Sequence, residues 1–433
     1  MNCVHVLPQL RELEHRFPNE IAVVGVHSGK YHAERVTERI REAAARFDIA
    51  HPVVNDRQFR VWRAYAVNAW PTLNIVDPTG RVLGAHAGEF TADRLTPVIE
   101  RMIAGFDEAG QLVRGATPLT PDAPALAPGT LRYPGKVVCD GERIAIADSG
   151  HHRVLIGRLA PGGTSARIER VVGTGAPGFD DGERGSFNSP QGMTFDANTL
   201  IVADAGNHAI RLVDLGTGSV RTLAGTGHQL HTMEDIHAGA MSSPWDVTMH
   251  RGVLYIAMAG IHQIWSLDRA TGTGRLHSGT PREDIVDGPH HEAALAQPMG
   301  ITALGDRLFF VDAESSAVRW ADAAQEGAVG TIAGTGLFDF GDCDGAGDEV
   351  LLQHAQGIAL HPDGRLLVAD SYNDALKWVD PGTRRVETWV RGLHEPGGVT
   401  CGAAHAYVAD TNAHRIVAVE YATGEMRELA LEM

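Results

Sequence analysis

The sequence is poor in cysteine, aromatic side chains, positive charge and long apolar runs. Its 433 residues include only 4 cysteines, scattered along the chain, and 6% aromatic residues. This is not the dense cysteine framework of small secreted proteins, and we predict a reducing, cytoplasmic location. No segment approaches the roughly 18 apolar residues of a membrane-spanning helix, so we expect no membrane association. With 37 basic against 54 acidic side chains, the net charge of −17 argues against nucleic-acid binding.

Glycine and turn residues are abundant instead, and the chain changes character near its first quarter. Residues 1–105 alternate helical and strand patterns, which is typical of an α/β domain. Residues 106–130 then carry four prolines among alanine and threonine, which predicts an extended linker. The remaining residues, 131–433, lack helical periodicity and form a third region.

This third region contains a unit repeated six times. In each unit a short apolar strand ends in a small residue and, in five units, aspartate; the six key positions are Asp148, Asp204, Met258, Asp312, Asp370 and Asp410. An aliphatic residue recurs 6 residues after each key position, and a proline lies 14 residues before it in five units. Four short strands fit each repeat, and six such sheets bury their faces when arranged radially. We therefore predict a six-bladed β-propeller.

The repeats resemble the NHL family, named for an Asn-His-Leu signature after the aspartate. The signature turn contains His152, His208 and His414 in three units, whereas the fourth and fifth units carry Ser316 and Asp374 where histidine would stand. Histidines at equivalent positions around a ring are possible metal ligands, but the signature places them for local hydrogen bonding, and we predict no metal site.

The first region resembles a thioredoxin-like domain, so the predicted fold is mixed: an α/β domain followed by an all-β propeller. Cys3 begins a helical pattern, and Trp70-Pro71-Thr72 precedes a strand. The resemblance implies that Pro71 is cis and shapes the substrate cleft with Trp70, and that Cys3 is the resolving cysteine of a Cys-x-x-Cys motif. The attacking cysteine and the first central strand would then precede Met1, and we expect roughly 25–30 residues to be missing from this domain.

The residues that follow the repeat prolines are candidates for ligand contact at one end of the propeller channel. They are Gln191, Trp245, Met299 and Gln356, where the last follows an alanine instead of a proline. Two loops rich in aspartate and glycine, at residues 179–182 and 339–345, lack the spacing of a calcium loop and are interpreted as turns.

Three functions remain open from the sequence. The first is thiol-redox chemistry, either disulfide exchange or sensing, with the propeller as a platform for a protein partner. The second is a non-catalytic scaffold in which both domains only bind. The third is a metal-assisted hydrolase or lyase at the propeller channel. We predict no cofactor and a monomer, and whether the chain is an enzyme is left open.

Overall fold

The computed structural model describes residues 1–115, 129–231 and 239–433. Most of the predicted linker therefore lies outside the described residues. The chain divides into two compact units between residues 127 and 128. The predicted combination of a thioredoxin-like α/β unit with a six-bladed propeller is confirmed.

Within residues 1–115, the first unit contains four α-helices and four strands. Its helices are α1 (Asn2–Arg16), α2 (Thr37–Arg46), α3 (Arg60–Ala64) and α4 (Ala92–Glu108), and its strands are β1 (Gly25–His27), β2 (Val53–Asn55), β3 (Thr72–Val76) and β4 (Val82–Ala87). The predicted domain end at residue 105 lies inside α4. Apolar residues of α1 and α4 form the core together with Phe90.

The strands of this unit form two separate sheets. β1 pairs with β2 in parallel, and β3 pairs with β4 in antiparallel fashion. Among residues 1–115, no strand joins the two pairs. Apolar side chains on these strands stay accessible, for example Val26 at 43% and Val82 at 52% exposure.

The second unit is built from consecutive four-stranded antiparallel sheets, the blades of the propeller. Blade 1 contains β5 (Lys136–Asp140), β6 (Arg143–Asp148), β7 (Arg153–Leu159) and β8 (Ser165–Val172). Blade 2 contains β9 (Pro190–Asp196), β10 (Thr199–Asp204), β11 (Ala209–Asp214) and β12 (Val220–Ala224). Blade 3 contains β13 (Pro244–His250), β14 (Val253–Met258), β15 (Gln263–Leu267) and β16 (Gly274–Ser278).

Blades 4 and 5 each carry a fifth, two-residue strand on the outer edge. Blade 4 contains β17 (Gly288–Pro289), β18 (Pro298–Leu304), β19 (Arg307–Asp312), β20 (Ala317–Asp322) and β21 (Ala328–Ala333). Blade 5 contains β22 (Gly345–Ala346), β23 (Gly357–Leu360), β24 (Leu366–Asp370), β25 (Ala375–Asp380) and β26 (Arg385–Arg391). Blade 6 contains β27 (Pro396–Cys401), β28 (His405–Asp410), β29 (Arg415–Glu420) and β30 (Met426–Glu428).

The blades close into a ring. Each first strand lies against the first strands of both neighbouring blades, so that β27 returns to β5. Six apolar clusters fill the six interfaces between successive blades. A last strand, β31 (Ala430–Glu432), pairs in parallel with β8 and adds a fifth strand to blade 1. Blade 6 thus supplies its own four strands, and β31 links the last blade to the first by pairing with the outer strand of blade 1.

Candidate functional site

The four cysteines differ in accessibility. All are free thiols: Cys3 and Cys343 are exposed, whereas Cys139 and Cys401 are half-buried in the propeller. Burial raises the pKa of Cys139, and it raises the pKa of Cys401 to about 12, so both thiols stay protonated at neutral pH. Because the thiolate is the nucleophile in disulfide exchange, these two are poor candidates for the chemistry. Cys3 lies in the first turn of α1.

The peptide bond between Trp70 and Pro71 is cis. Pro71 immediately precedes β3, and its carbonyl accepts a hydrogen bond from the Gly88 N–H at 2.8 Å. The indole Nε1–H of Trp70 donates to the Ser28 carbonyl at 2.9 Å, which ties the start of β3 to the residue after β1. Pro71 is therefore anchored on both sides, by the chain after β4 and by the end of β1.

Helix α1 is attached to the same segment by two side-chain contacts. His5 Nδ1 lies 2.7 Å from Glu89 Oε1, with the His5 ring only 6% exposed. One helical turn later, Gln9 Oε1 accepts the Ala92 N–H at 2.8 Å. Since Glu89 follows Gly88, the His5–Glu89 contact connects the helix of Cys3 to the segment that holds Pro71, whereas the Gln9 contact fastens this helix to the start of α4.

An aromatic cluster lies beside Pro71. Trp70 is 37% exposed, and its ring centroid lies 4.5 Å from that of Trp62 and 6.5 Å from that of Phe59. The buried Asp56 carboxylate accepts three backbone N–H groups of α3, at 2.7, 3.2 and 2.9 Å, and the Ser28 hydroxyl at 3.0 Å. Burial alone would raise the pKa of Asp56, but these hydrogen bonds outweigh it and the pKa is lowered. The Asp56 carboxylate therefore stabilises the first turn of α3, the helix that carries Trp62.

In the propeller, the four predicted ligand contacts all lie at the start of first strands or directly before them. Gln191, Trp245, Met299 and Gln356 are between 4% and 9% exposed. Gln356 Nε2 lies 3.2 Å from His354 Nδ1. These side chains are thus almost fully covered in this structure, and their role in ligand binding stays a prediction.

One residue after these predicted ligand positions, the first strands of the six blades approach the propeller axis. Lys136 and Asp246 occupy this position in blades 1 and 3, and the other four blades carry glycine: Gly192, Gly300, Gly357 and Gly398. A Cβ on Gly192 would overlap the Asp246 carboxylate, and one on Gly398 would lie 2.6 Å from Lys136 Cδ. The glycines therefore make room for one lysine and one aspartate.

Lys136 ties blade 1 to three other blades. Its Nζ lies 3.4 Å from Asp246 Oδ2, and it donates to the carbonyls of Met299 at 3.0 Å and Gln356 at 2.5 Å. Burial lowers the pKa of Lys136 and raises that of Asp246, while their mutual attraction opposes both shifts. Neither residue was predicted to be functional from the sequence, although one lysine and one aspartate among four glycines at one repeat position are a visible signal.

The signature histidines form hydrogen bonds between blades. Nδ1 of His152, His208 and His414 accepts the backbone N–H of Ser189, Ser243 and Tyr133 at 3.1, 3.0 and 3.0 Å. In the fourth and fifth blades, Ser316 Oγ accepts from the His354 N–H and Asp374 Oδ1 from the Glu395 N–H. These five side chains therefore serve a structural purpose.

The two aspartate-glycine loops hold buried cations. Arg211 is 0% exposed and contacts both Asp204 and Asp181, the latter in the loop at residues 179–182. In blade 5, Lys377 lies 2.8 Å from Asp342 and 3.2 Å from Asp344 of the second loop. Blade 3 has Met258 and Trp265 at the positions of Asp204 and Arg211, so the acid and the cation are lost together. Among the described residues, no group of three or more His, Cys, Asp or Glu could hold a metal ion.

Comparisons with known proteins cover both units. Residues 1–82 match the family described as thioredoxin-like. NHL repeat-containing protein 2 from Gallus gallus is 37% identical over 479 residues, which cover 98% of this chain and 65% of the chicken protein. Protein SUPPRESSOR OF QUENCHING 1, chloroplastic, from Arabidopsis thaliana is 38% identical and matches 100% of this chain and 44% of its own length. The chain therefore spans less than two thirds of either relative.

A shorter bacterial relative matches only part of the chain. The thiol-disulfide oxidoreductase YkuV of Bacillus subtilis (strain 168) is 26% identical over 102 residues, which are 24% of this chain and 69% of YkuV. In the part of the chain that the structure describes, every helix is too short or too polar to cross a membrane.

Proposed function

We propose that this chain, like the relatives that join a thioredoxin-like domain to an NHL-repeat propeller, carries out thiol–disulfide exchange at Cys3 on a protein bound by the propeller. The observation that carries this proposal is the attachment of α1, with its exposed thiol, to the segment of the cis residue Pro71. A thiolate in the first turn of a helix is stabilised by the helix dipole. YkuV, a relative of this chain, is named for the same chemistry.

The exchange step needs only one cysteine. The resemblance gives Cys3 the resolving position of a Cys-x-x-Cys motif, and we propose that Cys3 can also act as the attacking thiol. Its thiolate attacks one sulfur of a disulfide in the partner, a new sulfur–sulfur bond forms, and the other partner sulfur leaves as a thiolate. Resolution of this mixed disulfide requires a second thiol, which an external thiol or a Cys-x-x-Cys partner to Cys3 would supply. Trp70 and Pro71 would contact the peptide chain on either side of the reacting cysteine.

The propeller is proposed as the surface that binds the partner. Residues 116–433 contain 40 acidic and 23 basic side chains, whereas residues 1–115 contain 14 of each. This acidic part of the chain would repel the phosphates of a nucleic acid and favour a neutral or basic protein. Gln191, Trp245, Met299 and Gln356 are proposed contacts if the channel end takes part. We also propose a monomer and a reducing, cytoplasm-like compartment.

The test uses the full chain and a short peptide whose single cysteine carries a coloured thionitrobenzoate leaving group. We expect a mixed disulfide at Cys3, located by peptide mass spectrometry, at least about tenfold faster than at Cys343, the other exposed thiol. The variant P71A should slow Cys3 and leave Cys343 unchanged. Equal rates at the two thiols, unaffected by P71A, would refute the redox function and favour a protein whose domains only bind.

A further inference from the structure

We infer that His5 and Glu89 are positioning residues for Cys3, an inference that rests on the proposed thiol–disulfide exchange. Their contact is a part-buried polar link on α1, and His5 is two residues from Cys3 in sequence. Neither residue is expected to touch the substrate sulfurs. Their role would be to hold the first turn of α1 against the segment that carries Pro71.

The geometry forms a short chain of bonds from the thiol helix to the proline. His5 Nδ1 lies 2.7 Å from Glu89 Oε1, and the neighbouring Gly88 donates its N–H to the Pro71 carbonyl at 2.8 Å. The Glu89 carbonyl lies 3.0 Å from His86 Nε2, which holds the segment from the side of β4. With the His5 ring at 6% and the Glu89 side chain at 25% exposure, water competes weakly for this bond.

A second link on the same helix provides a matched control. Gln9 lies one turn further along α1 and accepts the Ala92 N–H at 2.8 Å, so it fastens the helix to the start of α4. Val6 and Leu13 are buried against the same region. The Gln9 contact and the buried Val6 and Leu13 hold the middle of α1, whereas the His5–Glu89 contact lies in the part of the helix nearest Cys3.

This arrangement makes a prediction about selectivity. A peptide disulfide must be held along Pro71 while Cys3 attacks it, so its rate depends on the relative position of the two elements. Iodoacetamide needs only an accessible thiolate. Loss of the contact should therefore slow the first reaction and spare the second.

The experiment compares both reagents on full-length variants that all carry C343S. We expect E89A and H5A to lower the rate with the thionitrobenzoate peptide about tenfold and to change the iodoacetamide rate less than about twofold. E89Q, which keeps an oxygen acceptor for the histidine, should retain the original ratio of rates. Q9A should also retain it, even if the melting temperature falls.

The possible results distinguish a failure of the positioning role of His5 and Glu89 from a failure of the proposed thiol–disulfide exchange. An unchanged ratio in both E89A and H5A, or an equal change in Q9A, would overturn the positioning role while the exchange reaction stands. If the parent protein shows no preferential exchange at Cys3, the proposed function fails and this inference fails with it. A tenfold loss confined to E89A and H5A supports both.

Discussion

Replacement of Lys136 by methionine tests how much one buried ion pair contributes to propeller stability. The ammonium makes three contacts, with Asp246 and with the carbonyls of Met299 and Gln356. The Lys136 and Asp246 side chains are only 6% and 12% exposed. In K136M the Asp246 carboxylate keeps the N–H groups of Val247 and Ile301 but loses its counter-charge.

The expected loss follows from burial of an unpaired charge. Removal of one partner from a buried pair typically costs about 3–5 kcal/mol. For a unit of about 300 residues, about 4 kcal/mol lowers the melting temperature by roughly 6 °C. D246N leaves the ammonium with two carbonyl partners and should cost somewhat less, about 2–3 kcal/mol.

The double variant supplies the decisive comparison. K136M/D246N removes both charges and keeps the shape of the aspartate side chain, so it should lose no more than K136M alone, with a coupling energy of about 2–3 kcal/mol. Scanning calorimetry resolves the propeller transition, and each variant is compared at one pH. Strict additivity of the two single losses, or a loss below about 1 kcal/mol in K136M, would refute the assignment of Lys136 as a link across the axis.

Three further predictions concern blade interfaces. Burial lowers the pKa of His277 from 6.5 to about 4. Because the folded protein then binds fewer protons than the unfolded chain, stability should fall by about 3 kcal/mol as the pH drops from 6.5 to 4. The variant H277Q should show a smaller fall of the melting temperature over this pH range. H208A should cost about 1–2 kcal/mol in denaturant titrations, and H208D should recover part of it, as Asp374 does naturally in blade 5; equal losses in both variants would contradict the acceptor role. M258D should destabilise the protein by more than about 3 kcal/mol, because Trp265 offers no cation, and M258D/W265R should recover part of that loss.

The sequence was sufficient for the propeller because its repeats are in register. Six key positions with an aliphatic residue at a fixed distance leave one arrangement in which every sheet covers its neighbour. The repeat alone does not predict the contacts of Lys136, which lies one residue after the predicted ligand positions. One lysine and one aspartate among four glycines mark this position as unusual, but only the structure shows that they meet across the ring.

The thioredoxin-like unit shows where local patterns stop being informative. Its alternation of helical and strand patterns was predicted, since apolar spacing is a local property. His5 and Glu89 lie 84 residues apart, and no periodicity connects a histidine on a helix with a glutamate after a strand. Ser316 and Asp374 stand where the signature has histidine. Their role is clear only from the structure, in which each accepts a backbone N–H from the next blade, as the signature histidines do.

The closing strand β31 has a consequence for biosynthesis. A ribosome delivers Leu431 only after every strand of the six blades has emerged, and until then the outer edge of β8 has no partner in the ring. The thioredoxin-like unit can fold first, while the propeller waits as an open arc with two exposed apolar flanks. Chaperones that shield strand edges would have their longest opportunity in this interval. Stalled or prematurely ended translation of this chain should therefore yield aggregation-prone material rather than a smaller soluble propeller.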